Sequence, residues 1–441
     1  MKKIRSVLSV FLIVCIALGF ARIVFSVASE SSESKKLVEL ADSYVEKKLY
    51  QKAINAYTEA LDVSEDENVR KKLIKAYVLS YKDGTSSNSD ITNALTVMVE
   101  KYPKELGYKE VLLKHYYNTH SYTEAYKFYK QLKRQGYESD TITDLGNKIL
   151  YIYNNKGLTY FEYIRSITGV YVVREGDNEW NEVLPDGEEL YAEPFYYISP
   201  NNVSSWTVHV STEKGTRLKD TNGIVEAHIT QKFVSSKAYG DGFLPVLNSQ
   251  GVWQYIDCYA DVTKNNKYED VSSFTNGIAA VKSAGKWSLI DTQFKNISSV
   301  KFDDIKLFQG GEYVNNDIMV ASVGGKYGLY NAKAEVIVEP KYKDIDVYYG
   351  DLIAFCDGNN KWGFMDFSGN IVIKPNYVKA KSFSNGLAAV FNGEKWGFIN
   401  RDGELVIDYN FLEADYFTSA GTCMVNTYGG SYHLIELKFH E

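Results

Sequence analysis

The segment Lys361–Asp366 reads KWGFMD, and the segment Lys395–Asn400 repeats it as KWGFIN. The segment Lys326–Asn331 reads KYGLYN, with tyrosine in place of tryptophan. A second pair of segments, FTNGIAAV at Phe274–Val281 and FSNGLAAV at Phe383–Val390, is followed in both cases by Lys-Trp at the same distance. Similar segments at a constant offset indicate internal duplication, which is typical of repeat folds.

The duplicated unit extends over the C-terminal three-fifths of the chain. Copies spaced roughly 34 to 40 residues apart predict about eight units between Leu158 and Glu441. One degenerate unit is expected to centre on Lys214-Gly215, with Asn222-Gly223 as its turn. We assign a structural role to the signature residues of the repeat, which are Trp180, Trp253, Trp287, Tyr327, Trp362, Gly363, Trp396, Gly397 and Tyr432.

Each unit reads as a meander of short antiparallel strands. Residues 387–392 and 395–400 are predicted strands, and Asp402-Gly403 is a strong hairpin signal before a third strand at 404–408. A fourth strand is predicted within 411–417. The first and third strands are apolar on both faces, whereas a sheet with one face in water would alternate. We therefore expect neighbouring repeats to cover both faces, with the tryptophans in the core between them.

The two ends of the array indicate whether the repeats form a closed ring. The last unit stops after its second strand near Phe439, and Leu158–Ile164 ahead of the first unit reads as an outer strand. N-terminal residues that complete the last sheet would remove exposed strand edges. This favours a closed β-propeller of seven or eight blades. An open β-solenoid is the alternative, and the long spacing between Trp287 and Tyr327 suits either architecture.

The Lys-Trp-Gly-Phe strand, with its Asp-Gly turn and Pro-x-Tyr segment, resembles the WG-repeat (KWG) family of bacterial proteins. The resemblance spans roughly 280 residues, which we take as one WG-repeat β domain at 158–441. It implies an all-β repeat array without an assigned catalytic role.

Residues 35–155 carry helical periodicity. Apolar residues at helical spacing mark a first helix, and Ala53, Tyr57 and Ala60 mark a second. These positions resemble the tetratricopeptide repeat, which implies an α-helical peptide-binding scaffold; a helical spacer that binds nothing is the alternative. Further helices are predicted at Val69–Tyr81, Ile91–Lys101, around Leu112–Tyr116, and at Ser121–Leu132 and Leu145–Tyr153, with an irregular loop at Lys82–Asp90.

Residues 1–28 have the layout of an export signal. Lys2, Lys3 and Arg5 precede the apolar segment Val7–Phe20, and Ser26-Val27-Ala28 offers small residues for cleavage. A cleaved signal peptide and a retained transmembrane helix both remain open. In either case the positive-inside rule predicts that the rest of the chain lies outside the cytoplasm, either membrane-anchored or extracellular and secreted.

The composition excludes several classes of function. The net charge of −7 and the mixed charge signs argue against nucleic-acid binding. The six histidines are scattered, and Cys15, Cys258, Cys356 and Cys423 lack metal-ligand spacing, so we predict no metal, no cofactor and no catalytic residue. The cysteines read as small buried hydrophobic residues.

Two hypotheses of function follow. The first is a non-enzymatic, extracytoplasmic binding or scaffold protein of a bacterial cell envelope, whose partner is a protein or another envelope component. It would contact the membrane through the N-terminal helix if that helix is uncleaved. The alternative is a propeller enzyme acting on cell-wall or other glycans, which predicts a cluster of carboxylates in a central pocket. A purely structural spacer is a third possibility.

Overall fold

The computed structural model describes residues 32–191, 194–200, 207–212, 215–220, 225–229, 233–257 and 267–439. The chain divides into two compact units between Ile149 and Leu150. The predicted signal or membrane helix at 1–28 lies outside the described residues, as do Lys214 and the expected turn at Asn222-Gly223. Among the helices that are described, none is both long and apolar enough to span a membrane.

The first unit is a succession of helices. Every helix predicted from residue 35 onward is present, and small buried residues such as Ala53, Ala56 and Ala60 let α1, α2 and α3 pack closely. The last helix ends at Leu150 rather than Tyr153, because Tyr153 begins a strand. The seven helices within the described residues are α1 (32–46), α2 (Tyr50–Val63), α3 (Glu67–Lys82), α4 (Asn88–Lys101), α5 (Leu106–Asn118), α6 (Tyr122–Arg134) and α7 (Asp140–Leu150).

Side-chain caps set the starts of α3 and α4. The Asp66 carboxylate accepts hydrogen bonds from the backbone N–H groups of Asn68 (2.7 Å) and Val69 (3.1 Å) at the start of α3. Ser87 and Asp90 form a reciprocal capping box at the start of α4. These caps leave a loop of only residues 83–87, shorter than the irregular loop predicted from Lys82 to Asp90.

The described part of the second unit forms eight antiparallel sheets, which we number as blades 1 to 8 in chain order. Blades 1 to 4 are β2–β4 (Glu162–Arg165, Tyr171–Gly176, Glu179–Val183), β5–β8 (Tyr197–Ile198, Thr207–Thr212, Gly215–Asp220, Val225–Ile229), β9–β11 (Phe233–Ser236, Phe243–Asn248, Trp253–Asp257) and β12–β14 (Asp270–Val271, Ile278–Ser283, Lys286–Asp291). Blades 5 to 8 are β15–β18 (Asp304–Ile305, Met319–Val323, Lys326–Tyr330, Val336–Tyr342), β19–β22 (Asp344–Ile345, Ile353–Cys356, Trp362–Met365, Ile371–Tyr377), β23–β26 (Lys379–Ala380, Ala388–Phe391, Trp396–Ile399, Leu405–Phe411) and β27–β29 (Glu413–Ala414, Thr422–Asn426, Tyr432–Leu437), the last joined by β1 (Tyr153–Tyr160).

The strand β1 closes the array into a β-propeller. It precedes blade 1 in the chain but pairs antiparallel with β29 of blade 8, from Tyr153 opposite Leu437 to Tyr160 opposite Tyr432. The N-terminal strand therefore completes the last blade, as the ends of the array predicted, and the open solenoid is not formed. The outer strand expected at Leu158–Ile164 is two strands, because β1 ends at Tyr160 and β2 begins at Glu162.

One strand of the predicted unit belongs to a different blade. Residues 411–417 were expected to hold the fourth strand, but Phe411 ends the third long strand, β26. The short β27 then pairs with β28, so it is the first and innermost strand of the next blade. Apolar clusters lie between successive blades: Val320 and Leu329 of blade 5, for example, pack with Ile345 and Phe355 of blade 6.

Candidate functional site

The signature aromatic residues lie at the start of the third strand of their blades. Trp287 is 2% exposed, whereas Trp180, Trp253, Tyr327, Trp362, Trp396 and Tyr432 are only partly buried. Three of these rings, those of Trp253, Trp287 and Tyr327, lie within 6.0 Å of a lysine Nζ of the same blade. The Nζ atom of Lys237 lies 4.7 Å from the ring centre of Trp253, and that of Lys306 lies 4.9 Å from the ring centre of Tyr327.

The signature glycines lie where the fourth strand crosses the third. A Cβ atom at Gly363 would lie 2.6 Å from the carbonyl oxygen of Ile373 and 2.9 Å from the Cα atom of Pro375. A Cβ atom at Gly397 would lie 2.7 Å from the carbonyl oxygen of Ile407. The pairing is irregular at this point, since the register between β21 and β22 shifts between Trp362 and Phe364. Glycine is therefore required by the close approach of another backbone.

Blade 5 differs from its neighbours in the loop between its first and second strands. This loop, residues 306–318, is named the plug, and the equivalent loops of blades 6 and 7 span only 346–352 and 381–387. The carbonyl of Gly310 accepts a hydrogen bond from the N–H of Ala238 in blade 3, and the carbonyl of Gly311 accepts one from Ser273 in blade 4, both at 2.9 Å. The extra residues account for the long spacing between Trp287 and Tyr327.

The other side of the plug contacts blades 1, 6 and 8. The Phe308 ring packs against Val347 and Tyr416, and its centre lies 5.1 Å from that of Tyr349. The side-chain oxygen of Gln309 accepts a hydrogen bond of 2.8 Å from the backbone N–H of Arg165. Loops from six blades therefore meet at one end of the propeller axis, and the plug occupies the space between them.

Beneath the plug lies the axial cluster, which we define as Arg165, Asp346, Tyr349, Lys381, Asp415 and Tyr416. The guanidinium carbon of Arg165 lies 4.3 Å from the ring centre of Tyr349. Asp346 accepts hydrogen bonds of 2.7 Å from the Tyr416 hydroxyl and from the backbone N–H of Ser382. Lys381 Nζ lies 3.3 Å from Asp415 Oδ1.

Burial dominates the electrostatics of the axial cluster. It raises the pKa of Asp346, against the lowering effect of the hydrogen bonds from Ser382 and Tyr416. It also raises the pKa of Tyr349 and Tyr416 far above the usual tyrosine range. Burial acts to lower the pKa of Arg165, but Tyr349 and the other partners outweigh it, so the pKa of the guanidinium is raised and its charge is kept. The tyrosines stay neutral, and two cations face two carboxylates.

The carboxylates of the axial cluster are poorly placed for glycan hydrolysis. A glycosidase needs an acid and a base that both reach the sugar. Asp415 is fully buried, and Asp346 is engaged by Tyr416 and Ser382 beneath the plug. The positions of these carboxylates therefore do not specifically support the alternative hypothesis of a glycan-cleaving enzyme.

A ring of equivalent positions surrounds the axis. In six blades the residue directly after the first strand donates its backbone N–H to the second strand of the same blade; these residues are Lys237, Ser272, Lys306, Asp346, Lys381 and Asp415. Each of the three lysines pairs with an aspartate of the next blade. The distances are 2.7 Å from Lys237 to Asp270, 3.1 Å from Lys306 to Asp344 and 3.3 Å from Lys381 to Asp415.

Sequence reasoning missed these axial residues. Partners such as Arg165 and Tyr416 are far apart in the chain and belong to no short motif. The available signal was weak: a charged residue follows a short strand at the same offset in several repeats. Only the register of the inner strands, which the sequence pattern does not specify, shows that these positions are equivalent.

The helical unit contains two grooves. One lies between α1 and α3, has a volume of about 410 Å³, and is lined by Ser34, Lys35, Val38, Glu39, Asp42, Ser64, Asp66, Asn68, Val69 and Lys72. Within it, Lys72 Nζ is 2.6 Å from Asp42, which also accepts a hydrogen bond from Tyr57. A second groove of about 270 Å³ lies between α2, α3 and α4, where Leu73, Tyr77 and Val97 contribute apolar surface.

Comparison with known proteins identifies one family and several solved structures. The model of the WG containing repeat matches residues 266–287, 287–314, 327–362, 362–396 and 396–430. No curated protein matches the chain in sequence.

Several solved structures resemble the chain at very low sequence identity. The computationally designed Ika8 protein is 7% identical, with 64% of this chain and 98% of that chain covered and a TM-score of 0.40. BamB from Moraxella catarrhalis is 8% identical, with 65% and 98% covered and a TM-score of 0.41. The WD40 β-propeller domain of Doa1 is 11% identical, with 64% and 97% covered and a TM-score of 0.31. The propeller assignment rests instead on the sheets and the closing strand described above.

The family matches are out of phase with the blades. Four of them begin at Trp287, Tyr327, Trp362 and Trp396, signature residues at the start of a third strand. One sequence repeat therefore holds the third and fourth strands of one blade and the first and second strands of the next. Residues 266–430 of this chain are thus an array of WG containing repeats within a β-propeller.

Proposed function

We propose that this protein is a non-enzymatic interaction scaffold of a bacterial cell envelope, located outside the cytoplasm. Its partner is a protein or another component of the envelope, and the N-terminal segment tethers it to the membrane if that segment is uncleaved. The repeat architecture supports this proposal, because helical repeats and propellers present extended surfaces for partners. The groove between α1 and α3 is the observation that carries it.

The chemistry of this groove suits a peptide segment. Lys35, Glu39 and Lys72 place charges of both signs around it, while Val38 and Val69 add apolar surface. Its volume of about 410 Å³ falls in the range of ligand pockets. A partner segment with both acidic and basic side chains, and apolar residues between them, would satisfy these walls.

Site-specific photocrosslinking tests the groove. A photoreactive amino acid in place of Glu39, which lines the groove, is expected to form a discrete adduct in native membranes. The matched control is Lys36 on the same helix, which is exposed but does not line the groove. The adduct at position 39 should weaken when Lys35 is changed to Glu. Equal adducts from both positions, or none from position 39, would contradict the proposal.

Protease treatment of intact cells tests the location. If the propeller lies outside the cytoplasm, added protease should digest it while a cytoplasmic marker stays intact. The denatured protein provides the control for intrinsic cleavability. Protection of the propeller in intact cells, with cleavage only after lysis, would show that the proposed location is wrong.

A further inference from the structure

Hydrogen bonds and apolar packing both hold the plug. Asn315 Nδ2 donates to the carbonyl of Tyr348 in blade 6 at 2.9 Å, and Tyr313 and Val314 lie in the apolar core of blades 4 and 5. Two backbone hydrogen bonds tie Gly310 and Gly311 to blades 3 and 4, and one side-chain bond ties Gln309 to blade 1. The backbone of the plug also turns back on itself, since the N–H of Phe308 donates to the carbonyl of Glu312. Residues 308–312 can open locally while Tyr313 and Val314 stay in the core of blades 4 and 5, because local opening costs less than global unfolding.

Glu312 lies at the centre of the plug and is unusually placed. Its side chain is 1% exposed, and neither carboxylate oxygen receives a hydrogen bond from another residue. The carboxylates of the axial cluster differ, because Asp346 is bonded to Tyr416 and Ser382 and Asp415 is paired with Lys381. An ionised carboxylate without donors in a buried site is strongly destabilising.

The two lysines near the plug are paired with aspartates of the neighbouring blades. Lys237, whose side chain packs against Gly311, is paired with Asp270. Lys306 at the base of the plug is paired with Asp344. The guanidinium of Arg165 lies against the ring of Tyr349, and its Nη2 donates to the carbonyl of Phe417 at 3.5 Å, whereas its Nε and Nη1 have no hydrogen-bond partner. Only burial and its own backbone act on the pKa of Glu312.

The two carboxylates that raise the pKa of the neighbouring Tyr313 each accept a hydrogen bond from a backbone N–H group. Asp317 accepts from the N–H of Ala332, and Asp241 accepts from the N–H of Gly277. No charged side chain therefore compensates the charge of Glu312.

We propose that the plug is a gate on the propeller axis, held shut in acid and progressively released as the pH rises toward neutrality. When the plug is closed, Glu312 must be neutral to be tolerated in its buried site. When the plug opens, water solvates the carboxylate and permits its ionisation. Opening uncovers the buried members of the axial cluster, Arg165, Asp415 and Tyr416, whereas Asp346, Tyr349 and Lys381 are already partly exposed.

The direction follows from linkage. Burial raises the pKa of Glu312 from 4.5 to about 7 in the closed state, whereas a solvated carboxyl keeps its ordinary value. The closed state thus binds its proton more tightly, and the closed state is most favoured below the ordinary pKa. Between the two pKa values the opening equilibrium increases with pH, by on the order of a hundredfold in total, and then levels off.

Hydrogen exchange measured by mass spectrometry on the full chain tests the gate between pH 5 and pH 8. After correction for intrinsic exchange rates, protection of residues 308–312 and of the amides of Ala238 and Ser273 should fall on the order of a hundredfold as the pH rises. A peptide covering β24 should keep its protection. In Glu312→Gln, which cannot ionise, the plug should lose this pH dependence.

Two further variants keep the test decisive. Glu339→Gln, on an exposed residue of β18, should retain the wild-type pH dependence. Gln309→Ala removes the tie to blade 1 and should speed exchange of the plug at every pH without changing the pH midpoint. Constant protection of the wild-type plug across the pH series would overturn the proposal, even if Glu312→Gln fails to fold. Equal pH dependence in Glu312→Gln and the wild type would also overturn it.

Discussion

At the scale of the residue, the third strand needs glycine at its signature positions because glycine has no Cβ atom. Neither Gly363 nor Gly397 has a positive φ, so conformational freedom does not explain them. The backbone of the fourth strand instead passes where a Cβ would be. In the Trp-Gly pair, the tryptophan ring packs within the blade, and the glycine allows a close backbone contact that a side chain would prevent.

The substitution Gly363→Ala should therefore destabilise the propeller. Backbone atoms would have to move, and overpacking of this kind costs about 1–3 kcal/mol of unfolding free energy. Gly358→Ala is the control, because a Cβ there meets nothing within 4 Å and its effect should stay within about 0.5 kcal/mol. Urea unfolding followed by tryptophan fluorescence measures both. Equal effects of the two changes would refute the close-approach explanation.

The substitution Tyr416→Phe removes a donor from the half-buried Asp346. We expect a loss of about 1–3 kcal/mol in unfolding free energy, since the carboxylate keeps its burial but loses a partner. Burial raises the pKa of Asp346, so the native state holds its proton more tightly and stability falls as the pH rises above the ordinary value. The loss should thus be larger at pH 8 than at pH 4.

The control for Tyr416→Phe is Tyr428→Phe, at a side chain that is 87% exposed. This change should leave the unfolding free energy within about 0.5 kcal/mol of the wild type at both pH values. A loss in Tyr416→Phe that is the same at pH 4 and pH 8 would mean that the hydroxyl does not act through the charge of Asp346.

At the scale of the element, the turn between the third and fourth strands repeats one hydrogen-bond pattern. The Asp366 side chain accepts from the N–H groups of Ser368 and Asn370, both at 2.9 Å. Asn331 and Asn400 accept in the same way in blades 5 and 7. The turn therefore needs a side-chain oxygen at this position, not a charge.

This pattern distinguishes two substitutions at Asp366. Asp366→Ala should cost about 1 kcal/mol in unfolding free energy, because two turn amides lose their acceptor. Asp366→Asn should be nearly neutral, since Asn331 and Asn400 fill the equivalent positions in other blades. Thermal unfolding of the two variants compares them directly. A loss in Asp366→Asn as large as in Asp366→Ala would show that charge, not the acceptor, matters here.

The elements themselves were largely predictable from the sequence. The helices followed from apolar periodicity, and the second and third strands followed from duplicated segments with turn signals. The first strand of each blade was not recognised, because strands as short as Lys379–Ala380 carry no periodicity of their own. The axial cluster also escaped prediction, because residues such as Arg165 and Tyr349 meet only after the ring has closed.

At the scale of the whole molecule, the strand β1 joins the two ends of the propeller. Without β1, the strand β29 would present an unpaired edge, and blades 8 and 1 would be joined only by direct contacts such as that between the rings of Tyr163 and Tyr432, whose centres are 4.8 Å apart. Tyr160, Tyr171, Met424 and Leu434 pack together across this junction. Closure thus joins residues from the two ends of the second unit into one core.

Two truncations test this dependence. A chain that begins at Leu150 keeps β1 and should fold into a monomeric propeller that unfolds cooperatively. A chain that begins at Phe161 lacks β1 and should melt at a lower temperature and associate through the free edge of β29. Calorimetry and size-exclusion chromatography measure the two outcomes. Equal melting temperatures and a monomeric second chain would show that closure by β1 is dispensable.

The same strand also sets the order of events during synthesis. The ribosome releases β1 roughly 270 residues before β29, which at about 5–20 residues per second is an interval of roughly 15–50 s. Through that interval the first seven blades can assemble while β1 has no partner in its own chain. Nascent chains on one polyribosome would be exposed to pairing with each other through this strand. A factor that shields β1 would be needed only until β29 emerges.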